Sequence, residues 1–335
     1  MVLNLIQEII TRRLNKNWRL TMKLATRINS IMPKVDGDII KALEKVSEID
    51  GITCVDLNYP EHFSNYSVDE INKTLKDLNI HANGLALRFR NHFINGEFGN
   101  NNKLIAEDAF TLCKEAADTC RVLGGKVLTL WLGFDGFDYP FQVDYQKAWS
   151  QVREYVTALA DYAPDLQISI EYKPYQERSY ALIDSIGLTL LMVNEINREN
   201  VGVTVDYCHM LMKRENPAYG LSLAADKGKL FGVHINDGYG THDDGLMVGT
   251  VSLMQTLEFM YYLKKYNYDG AIYFDTFPIR EEPVEEIKQN VKAIHIISSL
   301  IDQLGLAEIE KTIEKNDAIS VNKMFFSMFE LKVNK

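Results

Sequence analysis

Eight short apolar runs, rich in β-branched residues, recur along the chain, and a stretch with helical spacing follows each one. The runs are residues 23–31, 52–57, 79–87, 126–132, 167–172, 201–206, 230–236 and 270–275. Turn residues such as Asp36-Gly37, Gly51, Gly124-Gly125 and Asp269-Gly270 bound them. Between them, apolar residues fall three or four apart, as on one helix face. Ile39, Ile40, Leu43 and Val46 do so, as do Ala109, Leu112, Ala116 and Ala117, and Val284, Ile287, Val291 and Ile294. Strands separated by helices pair in parallel through right-handed crossovers. Eight such units predict an α/β chain folded as a closed (β/α)8 TIM barrel rather than an open sheet. No Gly-x-Gly-x-x-Gly opens any of the helices, so a dinucleotide-binding fold lacks its signature.

The barrel is expected to span residues 22–303 as one catalytic domain, because no Pro- or Ser-rich linker divides it. Residues 1–21 read as a basic amphipathic segment, an N-terminal helical extension packed on the core. With Glu8 as its only acid, a presequence is the alternative. Residues 304–335 read as a C-terminal helix and tail that ends in Met324-Phe325-Phe326-Ser327-Met328-Phe329. Such an apolar tail is expected to pack on the barrel or on a neighbouring subunit.

Charge narrows the partners. Against 36 Lys+Arg stand 46 Asp+Glu, a net charge of −10. That balance disfavours nucleic acid and anionic membranes. No apolar run approaches the roughly 20 residues needed to span a bilayer. Arg12, Arg13, Arg19 and Lys23 interrupt any secretory pattern, so a cytoplasmic location is expected. The four cysteines, Cys54, Cys113, Cys120 and Cys208, show no CxxC spacing, which argues against a disulfide framework or a zinc ribbon.

In barrels of this kind, chemistry sits where strands end at the C-terminal face. The fifth run ends in Glu171-Tyr172-Lys173, and the sixth in Asp206-Tyr207-Cys208-His209. The seventh carries His234-Ile235-Asn236-Asp237, and the eighth ends at Asp275. Four consecutive strands thus each place an acid or imidazole after an apolar run. Buried, unpaired carboxylates cost several kcal/mol each. A divalent cation would neutralise them, and three carboxylates with one imidazole are an ordinary ligand set. The other reading is a metal-free, hydrogen-bonded cluster. His209, His242 and Asp244 could hold a second cation, because His242 and Asp244 are two apart and point the same way on extended backbone. A solvated acidic loop is the alternative there. Lys173 lies on the face of Glu171 and could polarise a carbonyl oxygen, or it could simply pair with one of the acids. Arg88 or Arg90 could meet a phosphate, although no phosphate-cradling glycine loop is present.

The units Glu171-x-Lys173-Pro174, Asp206-x-x-His209 and His234-x-x-Asp237, with Asp244 and the eighth-strand Asp275, resemble the xylose isomerase-like TIM-barrel superfamily. Within it they are most similar to the L-rhamnose isomerase type. Trp131 and the run Asp138-Tyr139-Pro140-Phe141-Gln142 resemble that family's substrate wall, and the likeness spans residues 22 to about 300. It implies a metal-dependent aldose–ketose isomerase for a small free sugar, with Mn2+ foremost and Mg2+, Co2+ or Zn2+ also suited, in a homodimer or homotetramer. By position it implies a first cation on Glu171, Asp206, His234 and Asp275. It implies a second on His209 and an Asp-x-Asp pair in the following loop. Here the first member of that pair is His242, and Asp243 could replace it only if the loop register shifts. Lys173, His209, Asp275 and Glu171 would carry the chemistry, while Trp131, Lys173 and Phe277 would contact the sugar.

Three rivals share the barrel. A single-metal ketose 3-epimerase, or a related sugar phosphate isomerase or epimerase, would work through an enediolate with two carboxylates on opposite faces of the sugar. Here Asp275 is short and Lys173 is present, which ranks that reading second. An abasic-site nuclease would want a basic groove, and the charge argues against it. A non-catalytic carbohydrate-binding barrel would leave the strand-end ligand set without a use.

Overall fold

The computed structural model describes residues 22–333. The barrel strands are β1 (Lys23–Arg27), β2 (Ile52–Tyr59), β3 (His81–Leu87), β4 (Val127–Trp131), β6 (Gln167–Glu171), β8 (Val201–Asp206), β9 (Leu230–Ile235) and β10 (Ala271–Phe274). They close in that order, and β10 pairs with β1. Ala25 closes the ring, in register with Tyr273 on one side and Cys54 on the other. With Ala271 these three form a small buried cluster of their own. The larger core fills the layer between strands and helices. The (β/α)8 barrel anticipated from the eightfold pattern is therefore the fold.

The helices between strands form where the apolar spacing and the caps agree. In α1 (Ile39–Ser47) the Asp38 carboxylate accepts from the amides of Ile40 and Lys41, and Ile39, Ala42, Leu43 and Val46 are buried. In α2 (Val68–Asp77) Ser67 and Glu70 make a capping box. The others are α3 (Lys103–Leu123), α4 (Tyr145–Tyr162), α5 (Ile186–Ile196), α6 (Tyr207–Met212), α7 (Pro217–Asp226), α8 (Leu253–Lys265) and α9 (Pro283–Leu304). The tail is α10 (Leu306–Glu314) and α11 (Ala318–Val333), with Ile309 and Met328 buried on the chain itself. No described helix is long and apolar enough to cross a membrane. The expected helix at residues 1–21 lies outside the described residues.

Three local readings change. The first run stops being a strand at Arg27, and residues 28–35 wind as two 3-10 turns, with Pro33 in the second. Ile28 and Ile31 remain buried, so the apolar run continues while the strand does not. The third strand begins at His81, because Asn79 takes a left-handed turn with φ 55°. A two-stranded hairpin, β5 (Gly136–Phe137) against β7 (Tyr180–Ala181), joins the loops after β4 and β6; its two-residue strands are too short to leave a periodic signal.

The strands pack closely where β3 meets β4. A Cβ on Gly84 would lie 2.1 Å from the carbonyl oxygen of Val127. Gly84→Ala is therefore expected to lower the free energy of unfolding by about 1–3 kcal/mol through overpacking, measured by urea denaturation. A midpoint equal to that of the parent would show that β3 and β4 can part without cost.

Candidate metal centre

Strands β6, β8, β9 and β10 are successive staves of the barrel, so their C-terminal ends form one arc. Glu171 ends β6, Asp206 ends β8, His234 is the penultimate residue of β9, and Asp275 directly follows β10. One ligand-type atom from each of these four lies within 4.8 Å of the others. All four are buried, Asp206 completely.

Asp206 does two jobs. It ends its strand and caps α6, its Oδ1 accepting the His209 amide at 2.9 Å. That cap explains the Asp-x-x-His spacing: three residues on, the first helical turn returns His209 to the carboxylate. His209 thus lies in this short helix, not on an extended end of the strand. Asn236 braces the arrangement from β9. Its side-chain amide donates to both Asp206 oxygens, at 3.5 and 3.3 Å, and to the Asp275 carbonyl at 3.0 Å. Its Oδ1 accepts the Cys208 amide at 2.9 Å.

A second group adjoins the first. Asp206, His209 and Asp243 also bring ligand atoms within 4.8 Å of one another. Asp243 Oδ2 lies 3.2 Å from His209 Nε2 and 3.3 Å from Lys173 Nζ. The residue that joins His209 in this group is Asp243, where the sequence predicts His242 and Asp244. Those two do share a side of the loop, as their spacing implied, and they pair with each other at 2.7 Å. His242 alone of the two reaches solvent, while the Asp244 side chain, 10% exposed, turns back into the loop. His242 is 60% exposed, and Asp244 Oδ2 accepts the Tyr239 amide. Alternation then turns Asp243, between them, toward His209. Asp237, from the same motif, is a loop clamp: its carboxylate accepts from the amides of Gly238, Val251 and Ser252 and from the Ser252 hydroxyl.

The electrostatics follow from this crowding. Burial is the largest influence on every group, and it opposes charge. For Asp206 burial prevails, with Asp243, Asp275 and Glu171 nearby, and its pKa rises to about 7. For the imidazoles the carboxylates outweigh burial. His209 rises to about 10 beside Asp206 and Asp243, and His234 to about 9 beside Glu171. Glu171 falls to about 2 because His234, whose Nδ1 is 3.2 Å away, and His209 overcome its desolvation. Deeper in the barrel Asp56, held by Asn83 at 2.8 Å, is pushed upward by burial.

Four ligand-type atoms here are buried without a hydrogen-bond partner: His209 Nδ1, His234 Nδ1, Asp243 Oδ1 and Asp275 Oδ1. His234 Nδ1 and Asp275 Oδ1 have only ion-pair contacts off hydrogen-bonding geometry, 3.2 Å to Glu171 and 3.3 Å to Arg27, and a buried polar atom that nothing satisfies costs about 1–3 kcal/mol. All four belong to the two groups, and cations would satisfy them together. The residues present therefore fit divalent metal. Mixed carboxylate and imidazole donors suit Mn2+, Co2+ or Zn2+ better than an all-oxygen Mg2+ site.

Lys173 and Trp131 stand beside the groups. Lys173 Nζ is 3.3 Å from Asp243, 3.7 Å from Glu177 and 5.3 Å from the centre of a Trp131 ring. Phe277, bonded through its amide to the Gly245 carbonyl, lies under the Arg27 guanidinium at 4.5 Å. Sequence reasoning missed Asn236 and Arg27. Nothing in their spacing distinguishes them from neighbouring polar residues.

A sequence model described as xylose isomerase-like TIM barrel matches residues 43–296. The chain belongs to that family. Its curated relatives include the xylose isomerase of Thermus thermophilus, 26% identical over 201 residues that cover 58% of this chain and 52% of that protein. The chain thus spans about half the length of the curated relatives it matches. Among solved structures it is similar to a D-tagatose 3-epimerase-like protein (TM-score 0.68, 16% identity, 84% of this chain and 99% of that one). It is also similar to an L-ribulose 3-epimerase (0.63, 15%, 89% and 98%) and to the IOLI protein with a bound zinc atom (0.62, 19%, 84% and 97%). At these identities the likeness establishes the fold.

Cation binding must compete with protons, because the imidazoles hold theirs at neutral pH when metal-free and must be neutral to ligate. Binding therefore releases protons, and apparent affinity falls as pH falls. Titration calorimetry of Mn2+ at pH 7.5, in buffers of different ionisation enthalpy, is expected to show about one to two protons released per chain. No release would remove His209 and His234 from the ligand set. Asp206→Asn, which touches both groups, is expected to lose tightly held metal by elemental analysis after dialysis, while full occupancy would refute its bridging position.

Proposed function

We infer that this chain is a divalent-metal-dependent isomerase that interconverts an aldose and a ketose. The observation that carries the reading is the pair of ligand groups sharing Asp206, with Lys173 beside them. Glu171, Asp206, His234 and Asp275 would hold one cation, and Asp206, His209 and Asp243 a second. When bound, such cations supply Lewis acidity toward neighbouring sugar oxygens and lower the pKa of water.

The interconversion moves one hydride from C2 to C1 and one proton from the C2 hydroxyl to the C1 carbonyl oxygen. Lys173 is placed to donate to the oxygen on which negative charge develops. Asp243 holds the ammonium in position at 3.3 Å. His209 stays at the shared carboxylate through the α6 cap, and Asn236 fixes that carboxylate from the opposite side. Trp131 and Phe277, both half-buried, wall the site and exclude water from the migrating hydrogen.

A single-metal epimerase working through an enediolate is the second reading, and several structurally similar proteins are 3-epimerases. That chemistry needs two carboxylates on opposite faces of the sugar. Asp275 is a short acid already 3.3 Å from Arg27 Nε, and the second ligand group would have no part to play. The two readings separate in 2H2O. The isomerase is expected to carry the C2 hydrogen to C1 without solvent deuterium. Deuterium incorporated at the reacting carbon would favour the epimerase. His209→Ala is expected to keep the first cation and to lower kcat by about 100-fold or more, the scale of a lost transition-state contact. Near-parental turnover would show that the second group takes no part.

A further inference from the structure

Arg88 follows β3 and lies across the barrel mouth from the ligand arc, since β3 and β9 are opposite staves. It is half-buried, and its guanidinium has no carboxylate within 4.0 Å among the described residues. Its guanidinium stacks on a Trp131 ring at 5.8 Å, and its Nε is buried without a hydrogen-bond partner among the described residues. Other partly or fully buried arginines are paired: Arg121 with Asp118 and Asp165, Arg153 with Glu195, Arg178 with Asp138 and Arg198 with Asp161. Arg90, the other phosphate candidate, is exposed and paired with Glu61. In a chain with ten more acids than bases, a guanidinium without an acid is a departure that has to be explained.

Arg27 stands nearby at the end of β1. Its Nε is 3.3 Å from Asp275 but off hydrogen-bonding geometry, and its guanidinium caps the Phe277 ring. Both arginines act on the same buried groups. Together with burial they hold His62 neutral, at about 3, and both charges reach Tyr273. His62 is no counter-ion: its Nδ1 accepts the Asn58 amide, and its Nε2 meets Asn29. Glu171, Asp206, Asp243, Asp275 and, beside Lys173, Glu177 face Lys173, Arg27 and Arg88. Two divalent cations would leave that mouth with two net positive charges, and one cation would leave it neutral.

We propose that the substrate carries an oxyanion, a phosphate ester or a carboxylate, on the end remote from the reacting carbons, and that Arg88 binds it. This rests on the isomerase reading for the placement of the sugar, and it departs from the expectation of a neutral free sugar. A guanidinium offers paired donors that match either group, and desolvated charge-assisted bonds are the strong ones.

The test has two arms. In the first, the Mn2+-loaded protein is assayed with neutral aldoses and ketoses, their terminal phosphates and the corresponding uronates. One acidic class is expected to exceed its neutral counterpart by about 10–100-fold in kcat/KM, and which class leads identifies the oxyanion. Arg88→Gln is expected to erase most of that preference through KM, and Arg88→Lys to restore part of it. In the second arm, calorimetry measures inorganic phosphate and acetate on the same loaded protein, where at least one is expected to bind about tenfold more weakly to Arg88→Gln. Isomerisation of neutral sugars without preference would leave the isomerase reading standing and overturn the oxyanion site. Probe binding that depends on Arg88, without turnover of any sugar, would do the reverse. Equal loss by Arg88→Gln on neutral and acidic sugars, or probe binding that ignores Arg88, would also overturn the proposal.

Discussion

The burial of Asp206 governs the mouth of this barrel. Its carboxylate is fully enclosed, and three other acids and two imidazoles crowd around it. Isolated, such a charge could not be kept in the protein interior. The fold compensates with what the backbone can supply: the α6 amide cap, the Asn236 side chain and protons on His209 and His234. These measures are incomplete, as the four buried atoms without partners show. Cations would complete them, and the same charge that relieves the acids is what the proposed isomerisation would use.

That constraint explains how the loops are built. Asp237 and Ser252 clamp the loop after β9, so that Asp243 arrives beside His209 and Lys173. A comparable clamp joins the loops after β3 and β4. There Asp135 accepts the amides of Glu97, Phe98 and Gly99, and Glu97 accepts that of Phe134. Trp131 lies between Arg88 and Lys173, so the wall of the site continues from that clamped corner to the ligand arc.

The barrel was legible because eight repeats of two periodicities leave few other topologies, and four ligand-type residues were legible because strands end where apolar runs end. Asp275 illustrates this: Ala271 to Phe274 are all buried, and the next residue is the acid. What failed was direction within a loop. His242 and Asp244 have the spacing of a pair and are a pair, but the side they share is set by the clamp at Asp237 and by the Tyr239 amide on Asp244. Those contacts come from segments distant in pattern, and no local period encodes them. Asn236 went unnoticed for a related reason: its role depends on which side chains neighbouring strands bring to it.

The central claim is that one buried aspartate joins two cation positions. Anomalous diffraction at the manganese edge, on crystals equilibrated with Mn2+, tests it most directly. The account predicts two peaks, one among Glu171, Asp206, His234 and Asp275 and one among Asp206, His209 and Asp243. A single peak with His209 and Asp243 unligated, or none at the strand ends, would contradict it.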